Sequence, residues 1–120
     1  MRLSRREFEA LVAEALDAIP EGLARLMDNL VVVVEDWPTD EQRGDHDTLF
    51  GYYEGTALTE RSPLYYSGVL PDRITIFRGP LCEACETEED LIDEVYVTVV
   101  HEVAHHFGIA DERLEELGWD

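Results

Sequence analysis

Apolar residues recur every three or four positions near the start of this chain. Phe8, Leu11, Val12, Ala15, Leu16 and Ile19 fall on one face of a helix. Ser4 and Glu7 stand at the spacing of a capping box, in which each side chain satisfies a backbone N–H at the helix start. Pro20 ends the pattern, and Glu21 to Asp28 reads as a short second helix. The period then changes. Leu30 to Glu35 contains four consecutive valines and reads as a buried strand. Residues 36–48, with Pro38, Gly44 and several aspartates, read as a loop that carries His46 as a solvated side chain. Leu49 to Tyr53 reads as a short strand ended by Gly55, Arg61 to Pro71 as a loop, and Arg73 to Arg78 as a further strand closed by Gly79-Pro80.

The last third holds a conflict. Thr87, followed by Glu88, Glu89 and Asp90, is a helix start with acids at the positive end of the helix dipole. Yet Glu94 to Val100 is rich in β-branched residues and reads locally as a strand. His101-Glu102-Val103-Ala104-His105 resolves it. In a strand the two histidines stand about 13 Å apart, too far to act together. In a helix, residues four apart are neighbours on one face, roughly 6 Å from turn to turn. Leu91, Val95 and Val99, with Ile92, Val100, Val103, Ala104 and Phe107, then cover a wide apolar helical face suited to burial under a sheet. Gly108 can end this helix through a left-handed residue, and Glu112 to Leu117 reads as a last short helix stopped by Gly118.

The extended pattern, H-E-x-x-H-x-x-G-x-x-D, has the ligand spacing of a zinc-dependent peptidase. His101 and His105 can aim two imidazoles at one Zn2+ ion, and Asp111, after the chain reverses at Gly108, can add an oxygen ligand. Glu102 lies beside them, placed to act on a water held by the metal. Candidate donors for the developing oxyanion are Tyr65, Tyr66, His106 and Arg113, between which the spacing does not choose. Thr98 and Glu94, one and two turns before His101, are candidates to support the ligands. Cys82 and Cys85 form a C-x-x-C open to three readings: a redox pair, part of a structural zinc site, or two reduced cysteines in a loop.

With 120 residues the chain is expected to form a single domain over 1–120, large enough for a core without disulfides. A net charge of −19 sets it against nucleic acid, whose phosphates it repels, and towards basic or neutral peptide or protein partners. Seven acids among the twelve residues from Glu83 to Glu94 are either an acidic rim or a solvated helix start. No apolar run reaches the roughly 20 residues of a membrane span, and no signal-peptide core follows the polar start, so a soluble, cytoplasmic protein without membrane partners is expected.

From Leu49 onward the chain resembles the bacterial minimal-zincin family of possible zinc metallopeptidases. The matching segments are LFGYYEGTALTERSPLYYSG (49–68), LPDRITIFRGPL (70–81) and TVVHEVAHHFGIADERLEELG (98–118). The resemblance implies an α+β fold: a small mixed sheet packed on the N-terminal helix and the H-E-x-x-H helix, with a short C-terminal helix. It also implies His101, His105 and Asp111 as zinc ligands and Glu102 as catalytic acid/base. Larger relatives carry a methionine-containing turn after the third ligand, and no methionine follows Asp111 here. Three readings therefore stand: a zinc metallopeptidase; a catalytically silent zinc-binding module acting in protein–protein interaction or regulation, with a partner protein able to complete the cleft; and a structural domain that binds no metal.

Overall fold

The computed structural model describes residues 1–55 and 72–119. Its elements are α1 (Arg5–Asp17), α2 (Glu21–Leu26), β1 (Leu30–Glu35), α3 (Asp40–Arg43), β2 (Gly51–Glu54), β3 (Asp72–Phe77), α4 (Arg78–Ala84), α5 (Glu88–His106) and α6 (Asp111–Leu117). The fold is α+β, with a small mixed sheet in the order β1-β3-β2. β3 lies in the middle, parallel to β1 from Leu30↔Asp72 to Glu35↔Phe77 and antiparallel to β2 from Gly51↔Ile76 to Glu54↔Arg73. Ile74, Thr75, Ile76 and Phe77 are buried in succession, as expected of a strand covered on both faces.

α5 is the centre of the packing. It touches α1, α4, β2 and β3, and Leu91, Val95, Val99, Val100, Val103 and Ala104 are buried along it. The helix wins over the local strand preference on magnitude. A β-branched residue costs at most about 0.7 kcal/mol of helix propensity relative to alanine, whereas burying a valine or leucine side chain contributes about 1.5–3 kcal/mol. Thr87 caps the helix by accepting from the Asp90 N–H at 3.1 Å. α1 opens with the capping box expected of Ser4 and Glu7. Its buried Phe8, Val12 and Ala15 serve the core it shares with α5, while Arg5 donates to the Val34 carbonyl on the β1 edge.

Three segments differ from the sequence reading. α3 interrupts the loop at 36–48, where Thr39 and Gln42 make a second capping box. β2 begins at Gly51, two residues later than expected. The segment after β3 is the helix α4, which holds Cys82 and ends at its C-cap Cys85; both are buried free thiols. Gly79-Pro80 does not stop the chain there, because proline is tolerated in the first turn, where no intrahelical N–H is needed. Leu81, Cys82 and Cys85 then turn one face into the core.

Candidate metal centre

The end of α5 builds the site. Phe107 is the helix C-cap and Gly108 follows at φ 72°, a conformation that favours glycine. The Gly108 N–H donates to the His105 carbonyl at 3.1 Å and the Ile109 N–H to the Ala104 carbonyl at 2.8 Å. These two bonds form a Schellman motif, which satisfies carbonyls otherwise left open and reverses the chain. The reversal starts α6 at Asp111 and carries its carboxylate back to α5.

His101 and His105 lie on one face of α5, with ring centroids 6.2 Å apart and planes at 39°. His105 Nε2 is 3.8 Å from Asp111 Oδ1. Ligands at about 2.0–2.2 Å from one tetrahedral zinc stand roughly 3.3 Å from each other, so this pair stands somewhat wider than two ligands of one ion would. Both side chains are largely exposed, at 64% and 69%. Among the described residues, no three His, Cys, Asp or Glu side chains converge at ligand distance as they stand. The donor chemistry fits zinc: two imidazoles and a carboxylate.

Glu102 is partly buried, and burial pushes its carboxyl above the usual glutamic acid range. The positive charge available to His105, then His46, then His101 opposes that rise. The sequence reading makes His46 a solvated loop histidine. It is exposed, but the turn after α3 carries it within electrostatic reach of Glu102. No spacing rule links positions 46 and 102, so only the fold reveals this.

The remaining candidates separate. Arg113 pairs with Glu116 at 3.0 Å on α6 and is not directed at the histidines. His106 turns from His105 towards the sheet, where it meets Tyr53 and Asp72. Thr98 contributes spacing: a Cβ on Gly51 of β2 would stand 2.7 Å from its Cγ2, so the strand passes close to the helix one turn before His101. Glu94 lies with Asp90, Asp93, Phe50 and Cys85 around a separate acidic cleft. Burial, then Glu94 and Asp90, raise the Cys85 thiol, which leaves it a poor nucleophile. Tyr65 and Tyr66 lie outside the described residues. Among the described residues, no helix is long and apolar enough to cross a membrane.

The model of a family described as zincin-like metallopeptidase matches residues 27–119. Among solved structures, the chain is similar to a conserved hypothetical protein from Thermus thermophilus, with a TM-score of 0.59 and 23% sequence identity, over 88% of this chain and 94% of that one. At that identity the likeness concerns the fold. No curated protein matches the sequence.

Proposed function

The chain belongs to the zincin-like metallopeptidase family, and from that membership we propose that it hydrolyses peptide bonds in a zinc-dependent reaction. The observation that carries this reading is the arrangement of His101, Glu102 and His105 on one turn of α5, with Asp111 returned to 3.8 Å from His105. His101 and His105 would offer neutral ring nitrogens and Asp111 a carboxylate oxygen to hold the ion. Zinc held there supplies Lewis acidity, acidifying a water and polarising the scissile carbonyl.

Glu102 acts as general base. It takes the proton of the attacking water and delivers it to the leaving amine. Partial burial suits this task, because a carboxylate with a raised proton affinity accepts a proton more readily near neutral pH. His46, which lies within electrostatic reach of Glu102, is a candidate to steady the developing oxyanion. The net charge of −19 favours basic peptides as substrates.

A second reading, a silent zinc-binding module that works through a protein partner, is favoured by one observation: the sheet has only three strands among the described residues, a small edge on which to hold a peptide. The test is native mass spectrometry for zinc, followed by cleavage of a peptide library by wild type and Glu102→Gln. One zinc per chain with cleavage lost in the variant supports the peptidase. Zinc without cleavage supports the module. Absence of zinc binding after reconstitution removes both.

A further inference from the structure

A cluster beside the candidate metal centre joins three elements at one imidazole. Asp72, the first residue of β3, has a side chain only 16% exposed, a place where an acid is rarely found without partners. Its Oδ2 accepts a hydrogen bond from the Tyr53 hydroxyl at 2.7 Å and lies 3.5 Å from His106 Nε2. The Tyr53 ring stacks on His106 with centroids 4.1 Å apart and planes at 18°. Gly55 closes the arrangement, since a Cβ there would stand 3.2 Å from His106 Cε1 and 3.7 Å from Asp72 Oδ1.

His106 is the last residue of α5, between His105 and the Gly108 reversal that leads to Asp111. Helix ends fray unless they are held. His105 and Asp111 are largely exposed, so their own packing does not set their positions. Fixing the His106 ring fixes the rotation of the whole last turn. We propose that Tyr53, Asp72 and His106 form a positioning cluster that ties the last turn of α5 to the sheet and so holds His105 and Asp111 in register for one zinc ion. The proposal rests on the zinc-site reading above. None of the three touches the reacting atoms; they act through His105 and the turn that follows.

The experiment measures zinc affinity by chelator competition and the visible spectrum of the Co2+-loaded protein, on wild type, Asp72→Ala, Asp72→Asn and Tyr53→Phe, with circular dichroism as the folding control. Asp72→Ala is expected to weaken zinc binding about tenfold, the lower end for partners that orient metal ligands, and to change the cobalt spectrum. Asp72→Asn, which keeps an acceptor for Tyr53, is expected to stay within about threefold of wild type. Tyr53→Phe keeps the stack, loses one hydrogen bond, and is expected to cost about threefold. It decides the matter if Asp72→Ala does not fold. Wild-type affinity and an unchanged cobalt spectrum in folded Asp72→Ala, or in Tyr53→Phe should the first not fold, overturn the cluster alone. A wild type that binds no zinc overturns the zinc-site reading and the cluster with it.

Discussion

Gly51 sets the distance between β2 and α5, and replacing it with alanine tests that spacing. The added Cβ would stand 2.7 Å from Thr98 Cγ2 and 3.4 Å from both Ile76 Cδ1 and the Thr75 carbonyl oxygen. Thr98 cannot swing aside cheaply, because a β-branched side chain on a helix has few open rotamers. The helix or the strand must shift, at an overpacking cost of about 1–3 kcal/mol. Loss of glycine freedom in the unfolded chain offsets about 0.4–1 kcal/mol of that. The net is a loss of about 1–2 kcal/mol, and about 4 °C in Tm per kcal/mol for a chain of this size. Urea and thermal unfolding, in chelator so that bound metal does not alter the reading, are run on Gly51→Ala, Thr98→Ser and the double variant. Thr98→Ser removes the crowded methyl and costs about 1 kcal/mol or less alone. The methyl group added at position 51 is then accommodated, so the double variant is expected within about 0.5 kcal/mol of Thr98→Ser, a coupling of about 1–2 kcal/mol. Additive losses would refute the reasoning, because they would mean that Gly51 is not held by its approach to Thr98.

Glu102→Gln is expected to keep zinc and to lower peptide turnover by at least about 100-fold; turnover at the wild-type rate removes Glu102 from the mechanism. In the metal-free protein the raised Glu102 pKa makes the folded state bind more protons than the unfolded one. That contribution to stability is complete below the unfolded pKa and is lost as pH rises through the folded value. Metal-free Glu102→Gln is therefore expected to melt higher than wild type at pH 8, with the gap narrowing towards acid pH; a gap that does not depend on pH contradicts the assignment. Asp111→Ala is expected to weaken zinc binding at least tenfold by the loss of a ligand, roughly the effect of a lost orienting partner or more. Unchanged affinity would shift the third ligand to Glu112 or Glu115. Cys82 and Cys85 are buried, and the Cys85 thiol is held in its protonated form, so iodoacetamide is expected to label them at least about 100-fold more slowly in native protein than in urea. Equal rates would mean that α4 opens freely.

The helices were largely legible because their signals are local. Ser4 and Glu7 specify the start of α1, Thr87 the start of α5, and Gly108 and Gly118 supply the positive φ on which two helices end. The turn at Gly108 was readable for the same reason: a backbone conformation confined to one residue leaves its mark on that residue. α3 and α4 were missed because their start signals compete with punctuation. Thr39 and Gln42 sit among aspartates, and Gly79-Pro80 reads equally as a strand stop and as the first turn of a helix.

By itself the sequence determined the placement of His101, Glu102 and His105 on one helix turn and the return of the chain towards Asp111, since helical pitch and a left-handed glycine depend on few neighbours. It also determined which face of α5 is apolar, except at Phe107, which the helix end leaves exposed. Only the tertiary structure decided that β3 lies between β1 and β2, that Gly51 passes Thr98, that His46 comes near Glu102, and that Tyr53, Asp72 and His106 meet. These are juxtapositions of residues from 19 to 56 positions apart along the chain, for instance Tyr53 with Asp72 and His46 with Glu102. No local period encodes such pairs. They form because burying α5 against the sheet leaves one packing in which the polar groups at its end find partners.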